Sequence, residues 1–494
     1  MKHTLLGARL CELARQSASA TAWIDAGGEV GHEQAQALAG AFARWYRAQR
    51  RATDETVALS IADERRHLVA SVALLALGVP QVTLPTNEPR PMREELVRRL
   101  GVRYLLADQP GYELPGCQTI VVPMAAYAPG AAGSAPIEAE RADADTPAIY
   151  LSSSGTTGRA KILAYTQRAI AARAAAIGAV EGFGPGERIV VPASVQTFAG
   201  KTTRLYALLE GAASVLHDPR ATDDTIVSSF IRHRASILHL TVLQATGLAA
   251  APGTAPSLPA HARVFVGATR LPAGLRVAFE QRVGGRIFDR YGATEVGLIA
   301  TTCPRGDEGV PDAVGRLLGD AQLEVVDADG EPLPAGRIGE FRLRTPWMTT
   351  GYVDDPVATS QRYRDGWFCP GDFGAITPEG VVRFLGRTDD MMSLAGIKIY
   401  PVEIERVLDT HPAVRAAAAF PARSPLFGEI PFAAVELHED SGADAPSLLA
   451  YARERLGERA PRRILVLDAL PRNSAGKIVK SALAARFEPD VGDP

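Results

Sequence analysis

Hydroxyl and glycine residues crowd one short stretch of the chain, YLSSSGTTGRAK, at residues 150–161. An apolar strand runs into this stretch and a basic residue closes it. Glycines let backbone N–H groups approach anionic oxygens closely, hydroxyls donate further hydrogen bonds, and a lysine adds a positive charge on a flexible stem. The stretch predicts a loop that wraps phosphate, and the alternative is a flexible Ser/Gly linker. The residues placed to contact phosphate are Ser152, Ser153, Ser154, Gly155, Thr156, Thr157, Gly158 and Lys161.

This stretch is not a nucleotide-binding loop of the GxxxxGK[ST] type. Gly155 is followed by Gly158 too early, and Lys161 has no Ser or Thr after it. A second stretch, Gly-Lys-Thr at residues 200–202, also fails, because Val195 stands where the first glycine should be. An ADP-forming ATPase of that class is therefore the weaker reading of the phosphate-binding pattern.

The chain that must position these residues is long enough for two or more domains, with 494 residues. Its 53 Lys and Arg nearly balance 56 Asp and Glu, so no strong field attracts nucleic acid or an anionic membrane. The apolar run at residues 68–79 is shorter than a membrane span and predicts a buried helix. Four scattered cysteines fit reduced thiols in the cytoplasm better than disulfides or a zinc site: Cys11, Cys117, Cys303 and Cys369.

Strand-forming and helix-forming stretches alternate in the first part of the chain. Residues 56–61 and 104–107 predict strands, and residues 67–77 and 90–100 predict helices, a pattern typical of a parallel sheet covered by helices. Residues 124–147, rich in Ala, Pro and Gly, predict a surface connection of weak structure.

The pattern of predicted elements changes after Thr294. Short strands at residues 322–327, 338–343 and 381–384, joined by Asp/Gly/Pro turns, predict an antiparallel or barrel-like subdomain. Beyond residue 386, a helix at 401–408, strands near 416–420 and 432–437, and a last helix from Ile478 predict a compact second domain. We place the boundary near Asp389, with one domain at residues 1–388 and the other at 389–494.

Further stretches, taken in order with residues 150–161, resemble the signatures of the acyl-CoA synthetase, peptide-synthetase adenylation and luciferase superfamily of adenylate-forming enzymes. Independent chance matches in that order over most of the chain are far less probable than homology. The stretches are VFVGATRLP (264–272), RYGATEVG (290–297), VGR (314–316), GRIGEFRLR (336–344), GYVDDP (351–356), DGWFCPGD (365–372), FLGRTDDMM (384–392), IKIYPVEIE (397–405) and LPRNSAGKIVK (470–480).

The resemblance implies roles for the stretch RYGATEVG around residue 294. Thr294 would contact the α-phosphate of ATP and Glu295 would hold Mg²⁺, which prefers carboxylate and phosphate oxygens. Tyr291, beside Gly292, would stack on adenine. The loop Gly267, Ala268 and Thr269 would line the base and the substrate carboxylate. From the residues alone, Glu295 could be a surface carboxylate and Tyr291 a plain core aromatic.

Three further residues acquire roles in the same way. Asp372 would accept hydrogen bonds from both ribose hydroxyls, and Arg387 would donate to the ribose or phosphate, with an interdomain salt bridge as its alternative. Lys477 would reach ATP and the attacking carboxylate during adenylation only, although a lysine in such a loop is otherwise solvated.

Departures from the family pattern concern the acid substrate. Thr197 and Phe198 occupy the neighbourhood where relatives line the acyl pocket, and no aspartate there would anchor the ammonium of an ordinary α-amino acid. Lys201 could meet a second carboxylate or a phenolate in that pocket, and its alternative is a solvated lysine at a helix start.

The fold class implied is α/β: a large N-terminal domain of two α/β subdomains plus a small β-barrel, and a smaller mobile α+β domain. The function implied is activation of a carboxylic acid by ATP and Mg²⁺ to acyl-AMP, with release of pyrophosphate. The small domain would then rotate about Asp389 and present the Gly396 loop to the thiol of coenzyme A or of phosphopantetheine on a separate carrier protein. The alternatives are a non-catalytic nucleotide-binding relative and an ADP-forming ATPase.

Overall fold

The computed structural model describes residues 4–49, 55–128, 137, 143–153, 161–216, 223–251, 257–267, 271–302, 307, 309–394, 397–424, 428–438, 441–472 and 478–487. The α-helices within these ranges are α1 (Leu5–Gln16), α2 (His32–Ala48), α3 (Glu64–Leu77), α4 (Arg90–Arg99), α5 (Gln167–Glu181), α6 (Phe198–Leu209), α7 (Asp223–Arg232), α8 (Val242–Ala250), α9 (Ala273–Arg282), α10 (Pro356–Arg362), α11 (Pro401–Asp409), α12 (Ala445–Leu456) and α13 (Lys480–Phe487).

The strands within the same ranges are β1 (Thr21–Asp25), β2 (Gly28–Gly31), β3 (Val57–Ser60), β4 (Gln81–Thr83), β5 (Tyr104–Ala107), β6 (Gln118–Val121), β7 (Pro147–Ser153), β8 (Lys161–Thr166), β9 (Arg188–Val190), β10 (Ala213–Val215), β11 (Ile237–Thr241), β12 (Leu258–Gly267), β13 (Gly284–Ala293), β14 (Gly297–Thr301), β15 (Ala313–Leu317), β16 (Gln322–Val326), β17 (Gly339–Arg344), β18 (Tyr363–Arg364), β19 (Trp367–Phe368), β20 (Asp372–Ile376), β21 (Val382–Arg387), β22 (Met392–Leu394), β23 (Ile397–Ile399), β24 (Val414–Ser424), β25 (Gly428–Leu437) and β26 (Arg463–Val466).

The first sheet has six strands in the order β6-β5-β3-β4-β7-β8, all parallel except β8. Helix α3 shares a hydrophobic core with this sheet, and its residues 67–77 are all buried. The Asp63 carboxylate caps its first turn by accepting from the Arg66 N–H, and Gly78, at φ +79°, ends it. The buried helix expected at residues 68–79 is therefore confirmed.

The second sheet begins as β2-β1-β10-β9-β11-β12-β13, in which every neighbouring pair but β1 and β2 is parallel. It continues through antiparallel strands β14, β15, β21, β20, β17, β19 and β18, with β16 paired to β17. This antiparallel part encloses its own core around Phe341 and Val382. Two α/β subdomains and a barrel-like unit were predicted, and that prediction is confirmed.

The remaining sheet belongs to the small C-terminal domain and runs β23-β22-β25-β24, with β26 parallel to β25. Helices α11 and α12 cover one face, and α13 packs on β24 at the other. Helix α11 and its cap also contact the large domain, in part through an ion pair and a ring stack. Arg406 Nη1 lies 2.7 Å from Asp312 Oδ2, and the rings of Tyr400 and Phe373 stack at 5.4 Å.

Element boundaries follow the sequence closely in most places. Strand β5 has the predicted bounds, and the strands expected near 416–420 and 432–437 are parts of the longer β24 and β25. The last helix begins at Lys480, and not at Ile478, because Ile478 forms a β-bridge with Arg472. Among the described residues, no helix is both long and apolar enough to cross a membrane.

Candidate active site

A cleft of about 870 Å³ separates the barrel-like unit and β13 from the small domain. Four of the predicted nucleotide-site residues line its large-domain wall: Tyr291, Gly292, Asp372 and Arg387. Residues of the small domain form the opposite wall, among them Glu405, Arg472 and Ile478. The cleft thus brings together parts of the chain as far apart as Val242 and Lys480.

Strands β13 and β14 form a tight hairpin whose three turn residues are Thr294, Glu295 and Val296. The residue that follows the turn, Gly297, is left-handed at φ +78°, a conformation that favours glycine. A side chain at Gly292 would meet the Gly297 carbonyl oxygen at 2.2 Å, so the other strand also requires glycine. Val296 is fully buried and anchors the turn in the barrel core.

The hairpin turn is held from behind by buried donors. Arg173 of α5 donates from Nη2 to the carbonyl oxygens of Thr294 and Glu295, each at 3.1 Å. The Tyr165 hydroxyl donates to the same Thr294 oxygen at 2.5 Å, and the Thr349 N–H donates to the Glu295 oxygen at 2.9 Å. Both peptide carbonyls of the turn therefore face the protein interior.

The Glu295 carboxylate is linked to the end of the predicted phosphate loop. Its Oε1 accepts a hydrogen bond of 2.7 Å from the Tyr352 hydroxyl. Burial, and then the Glu295 charge, raise the pKa of Tyr352, so this phenol stays protonated and donates. Lys161 Nζ lies 4.7 Å from the centre of the same ring, within cation–π distance.

Strands β7 and β8 carry the two ends of the predicted phosphate loop. Ser152 pairs with Ile162, and Ser153 pairs with Lys161. The residues between them, Ser154, Gly155, Thr156, Thr157 and Gly158, lie outside the described part of the chain. So do Ala268 and Thr269, although Gly267 is described as the last residue of β12.

Asp372 and Arg387 face each other across β20 and β21. Arg387 Nε lies 3.5 Å from Asp372 Oδ1, and Arg387 also donates to the Pro370 carbonyl oxygen at 2.9 Å. Both partners belong to the large domain. These contacts therefore do not support the alternative that Arg387 forms a salt bridge between the domains.

Tyr291 makes a contact that the sequence did not predict. Its hydroxyl donates to Asp372 Oδ2 at 2.6 Å, and burial, followed by the Asp372 charge, raises the pKa of the phenol. The ring packs against Phe341 and Phe384. Tyr291 therefore orients the proposed ribose-binding carboxylate, and its stacking on adenine stays a prediction.

Lys477 and Gly396 lie outside the described residues, but both ends of the segment that carries Lys477 are described. Arg472 pairs with Ile478, and the Val479 N–H donates to the Pro471 carbonyl oxygen at 2.8 Å.

The buried Glu436 of β25 holds one of these ends. It accepts from the Leu470 N–H at 2.7 Å and from Arg472 at 3.1 Å. Burial raises the pKa of Glu436, but the Leu470 N–H, Arg472 and Arg415 outweigh burial and keep that pKa below its ordinary value.

The residues expected in the acyl pocket are only partly brought together. Thr197 caps α6 with its side chain accepting from the Gly200 N–H, and Phe198 stacks on Tyr165 at 5.2 Å. Lys201 is not solvated, contrary to the alternative considered for it. It is buried, and its Nζ donates to Gln81 Oε1 of β4 at 3.2 Å.

Sequence reasoning missed Arg173, Tyr165 and Glu436, and it did not assign a role to Tyr352. Tyr352 lies in GYVDDP, one of the recognised stretches, so that signal was present. No local pattern marks Arg173, because its acceptors are backbone carbonyls more than 120 residues away.

Comparisons with known proteins decide the family. The model described as AMP-binding enzyme matches residues 11–353, and that described as AMP-binding enzyme C-terminal domain matches residues 403–477. The chain belongs to the AMP-binding enzyme family. It is 30% identical over 351 residues to the 2-succinylbenzoate--CoA ligase of Geobacillus kaustophilus, covering 70% of each chain.

Solved structures show the same fold over nearly the whole chain. ATP-bound MatB from Rhodopseudomonas palustris is 24% identical, with 99% of both chains covered and a TM-score of 0.89. The o-succinylbenzoate CoA synthetase MenE from Bacillus subtilis, in complex with the acyl-adenylate intermediate OSB-AMP, is 25% identical, with 96% of this chain and 97% of that chain covered and a TM-score of 0.83. This member of the family is an AMP-forming acid–thiol ligase, which activates a carboxylic acid with ATP as acyl-AMP and passes the acyl group to a thiol.

Proposed function

We propose that this chain is a coenzyme A ligase that uses Mg²⁺-bound ATP, with its nucleotide held between the 290–297 hairpin and Asp372. The observation that carries the proposal is the shared cleft. One wall carries Tyr291, Gly292, Asp372 and Arg387. The other carries Arg472 and Ile478, the paired residues that form the stem of the Lys477 segment. The names of relatives such as 2-succinylbenzoate--CoA ligase favour coenzyme A as the acceptor. A carrier protein bearing phosphopantetheine is the second candidate acceptor.

The donor set around Glu295 suits magnesium better than a metal held by protein ligands alone. Among the described residues, no group of three or more His, Cys, Asp or Glu side chains could hold a metal ion. Mg²⁺ is commonly bound by one or two carboxylates, waters and substrate phosphates, so a single carboxylate suffices. Bound there, the ion would neutralise charge on the phosphates. Glu295 would hold it, and the hydroxyl of Thr294 would contact the α-phosphate.

The remaining nucleotide contacts follow from residue chemistry. Asp372 would accept from both ribose hydroxyls, with Arg387 donating nearby. Ser152 to Gly158 and Lys161 would surround the phosphates, and Tyr291, Gly292 and the 267–269 loop would border the base. Lys477 would approach the attacking carboxylate and the α-phosphate, and fixing these groups together lowers the barrier by proximity and charge stabilisation.

The second half-reaction requires a different arrangement of the small domain. We propose that residues 389–494 turn about Asp389, withdraw Lys477 and bring Gly396 to the thiol, which attacks the acyl carbonyl and releases AMP. The short helical turn Thr388–Asp390 supports this position for the hinge, because it joins β21, the last strand of the large domain, to β22, the first strand of the small one.

The acid is proposed to be other than an ordinary α-amino acid. Glu64 is a carboxylate that reaches the 192–201 segment, and it already accepts from the Ser194 hydroxyl at 2.7 Å and pairs with Arg204 at 3.1 Å. A carboxylate neutralised in this way is a poor anchor for a substrate ammonium.

A hydroxylamine-trapping screen tests the function. The enzyme, ATP and Mg²⁺ are incubated with aryl, fatty, dicarboxylic and β-amino acids, and acyl hydroxamate, AMP and pyrophosphate are measured. We expect hydroxamate with at least one acid, and thioester when coenzyme A replaces hydroxylamine. Thioester formation only with a phosphopantetheine-bearing carrier would select the second acceptor. Release of ADP and phosphate would overturn the proposal.

A further inference from the structure

Arg173 of α5 is a buried cation whose hydrogen bonds converge on the turn that carries Thr294 and Glu295. Besides the two carbonyl oxygens of that turn, it donates from Nε to the Trp347 carbonyl oxygen at 3.1 Å. Its guanidinium carbon lies 4.3 Å from the centre of the Tyr165 ring. These acceptors come from two distant segments of the chain, so one side chain ties α5, the hairpin and the 345–349 segment together.

Burying an arginine is costly unless all its donors find acceptors. An apolar side chain would fill the same volume at lower cost if packing alone mattered. Arg173 has a planar fork of donors, so it can fix several carbonyl oxygens in one geometry, which a single ammonium cannot. The donors of Arg173 at this position therefore fix the orientation of the turn.

The geometry constrains the turn at three successive residues. The Thr294 oxygen receives Arg173 and Tyr165, the Glu295 oxygen receives Arg173 and Thr349, and the Val296 side chain is buried. With both carbonyls directed inward, the backbone leaves the Glu295 side chain where Tyr352 contacts it.

We propose that Arg173 is a positioning residue for adenylation: it fixes the Thr294–Glu295 turn so that the hydroxyl and the carboxylate address the nucleotide and its metal together. Arg173 touches neither ligand and acts through the turn. This inference rests on the proposed roles of Thr294 and Glu295.

The test compares Arg173→Lys with a matched variant, Arg204→Lys. Arg204 is likewise buried and donates to the carbonyl oxygens of Val191, Ala193 and Gly200, but it contacts a different segment. Binding of Mn²⁺ in place of Mg²⁺ is measured by electron paramagnetic resonance with a non-hydrolysable ATP analogue, and thermal unfolding is followed on the same samples.

We expect Arg173→Lys to weaken Mn²⁺ binding by about tenfold or more, the usual scale for losing an outer-shell partner of a metal ligand. Pyrophosphate exchange should fall in the same proportion and recover in part at high Mg²⁺. Arg204→Lys should lose stability but keep the Mn²⁺ affinity of the parent. Equal Mn²⁺ affinity in Arg173→Lys and the parent would overturn the inference.

Two further variants keep the test decisive. If Arg173→Lys does not fold, Tyr165→Phe removes another donor to the Thr294 oxygen with little change in volume, and we expect a smaller loss of Mn²⁺ affinity. Parent affinity in Tyr165→Phe would then count against the inference. Glu295→Gln reports on the metal role itself: unchanged Mn²⁺ binding there would overturn the proposed role of Glu295, whatever Arg173→Lys does.

Discussion

At the scale of single residues, the same pairing of a buried phenol with a carboxylate occurs twice in the site. Tyr291 donates to Asp372 at 2.6 Å, and Tyr352 donates to Glu295 at 2.7 Å. Burial and the neighbouring charge raise both tyrosine pKa values, so each phenol remains a donor and fixes the plane of its carboxylate. A carboxylate held in this way is preorganised for its ligand.

We expect Asp372→Ala to raise the KM for ATP, because removing a charged acceptor of hydroxyl groups costs about 1.5 to 3 kcal/mol. Pyrophosphate exchange at varied ATP concentration measures the change. Tyr291→Phe, which removes only the hydroxyl that orients Asp372, serves as the control and should have a smaller effect. If Asp372→Ala leaves both KM and kcat unchanged, the ribose assignment is wrong.

Lys201 predicts a pH dependence of stability. Burial lowers the pKa of Lys201 from 10.5 to about 7. Between these values the unfolded chain binds a proton that the folded chain does not, so the free energy of unfolding rises with pH across that window. The penalty of burying Lys201 is complete below about pH 7 and fades as the pH approaches 10.5.

Lys201→Met should therefore raise the Tm most near pH 6, and the gain should shrink toward pH 10. Gln81 Oε1 keeps a donor in this variant, because the Ser71 hydroxyl also donates to it. Thermal unfolding followed at several pH values provides the measurement. A gain in Tm that is the same at every pH would contradict a lysine that titrates in the folded chain.

At the scale of elements, the β13–β14 hairpin is the feature on which the proposed adenylation chemistry depends. Its turn is short, its ends require Gly292 and Gly297, and its tip carries both proposed reactive side chains. A change of backbone geometry at this hairpin therefore moves Thr294 and Glu295 together.

Gly297→Ala should cost about 1 to 3 kcal/mol of stability, the usual range for strain at a left-handed position. A Cβ there would also lie 3.0 Å from Trp347 Nε1. Gly330→Ala is a matched control, since Gly330 has φ +85° and a Cβ there would meet nothing within 4 Å. Both variants should lose Tm, but only Gly297→Ala should lose pyrophosphate exchange. Equal exchange in the two variants would show that the hairpin geometry is not critical.

Helices and strands that local sequence patterns mark could be predicted from the sequence. Hydrogen-bond donors that lie far away in the chain could not. Strand β5 and the buried helix α3 follow from apolar runs, and the structure adds Asp63 and Gly78 as the caps of α3. The recognised stretches also predict Glu295 and Asp372 as site residues. The donors behind them, Arg173 and Tyr352, depend on chain segments that meet only in the folded molecule, and no periodicity or spacing encodes such a meeting.

At the scale of the whole molecule, the small domain presents the stem of the Lys477 segment to the cleft that Asp372 lines. This arrangement suits acyl-AMP formation. Lys477 and Gly396, on the same small domain, are proposed to serve different half-reactions, so variants of the two should fail in different assays.

Lys477→Ala should cut pyrophosphate exchange by about 10² or more, the scale for losing one charge-stabilising donor, and spare thioester formation from supplied acyl-AMP. Gly396→Leu should do the reverse, because a bulky side chain would obstruct the thiol and leave adenylation intact. Both half-reactions are measured with one acid. Equal damage to both by each variant would argue for a general folding defect and against alternation.

The contact between Arg406 and Asp312 has a consequence for the behaviour of the enzyme in solution. This ion pair crosses from the small domain to the large one at 2.7 Å, and the arginine is partly exposed while the aspartate is buried. Attraction between partly exposed charges weakens as ionic strength rises. We expect added KCl to slow acyl-AMP formation relative to thioester formation, and Asp312→Asn to abolish that salt response. The salt concentration around the protein would then set the ratio of the rates of its two half-reactions.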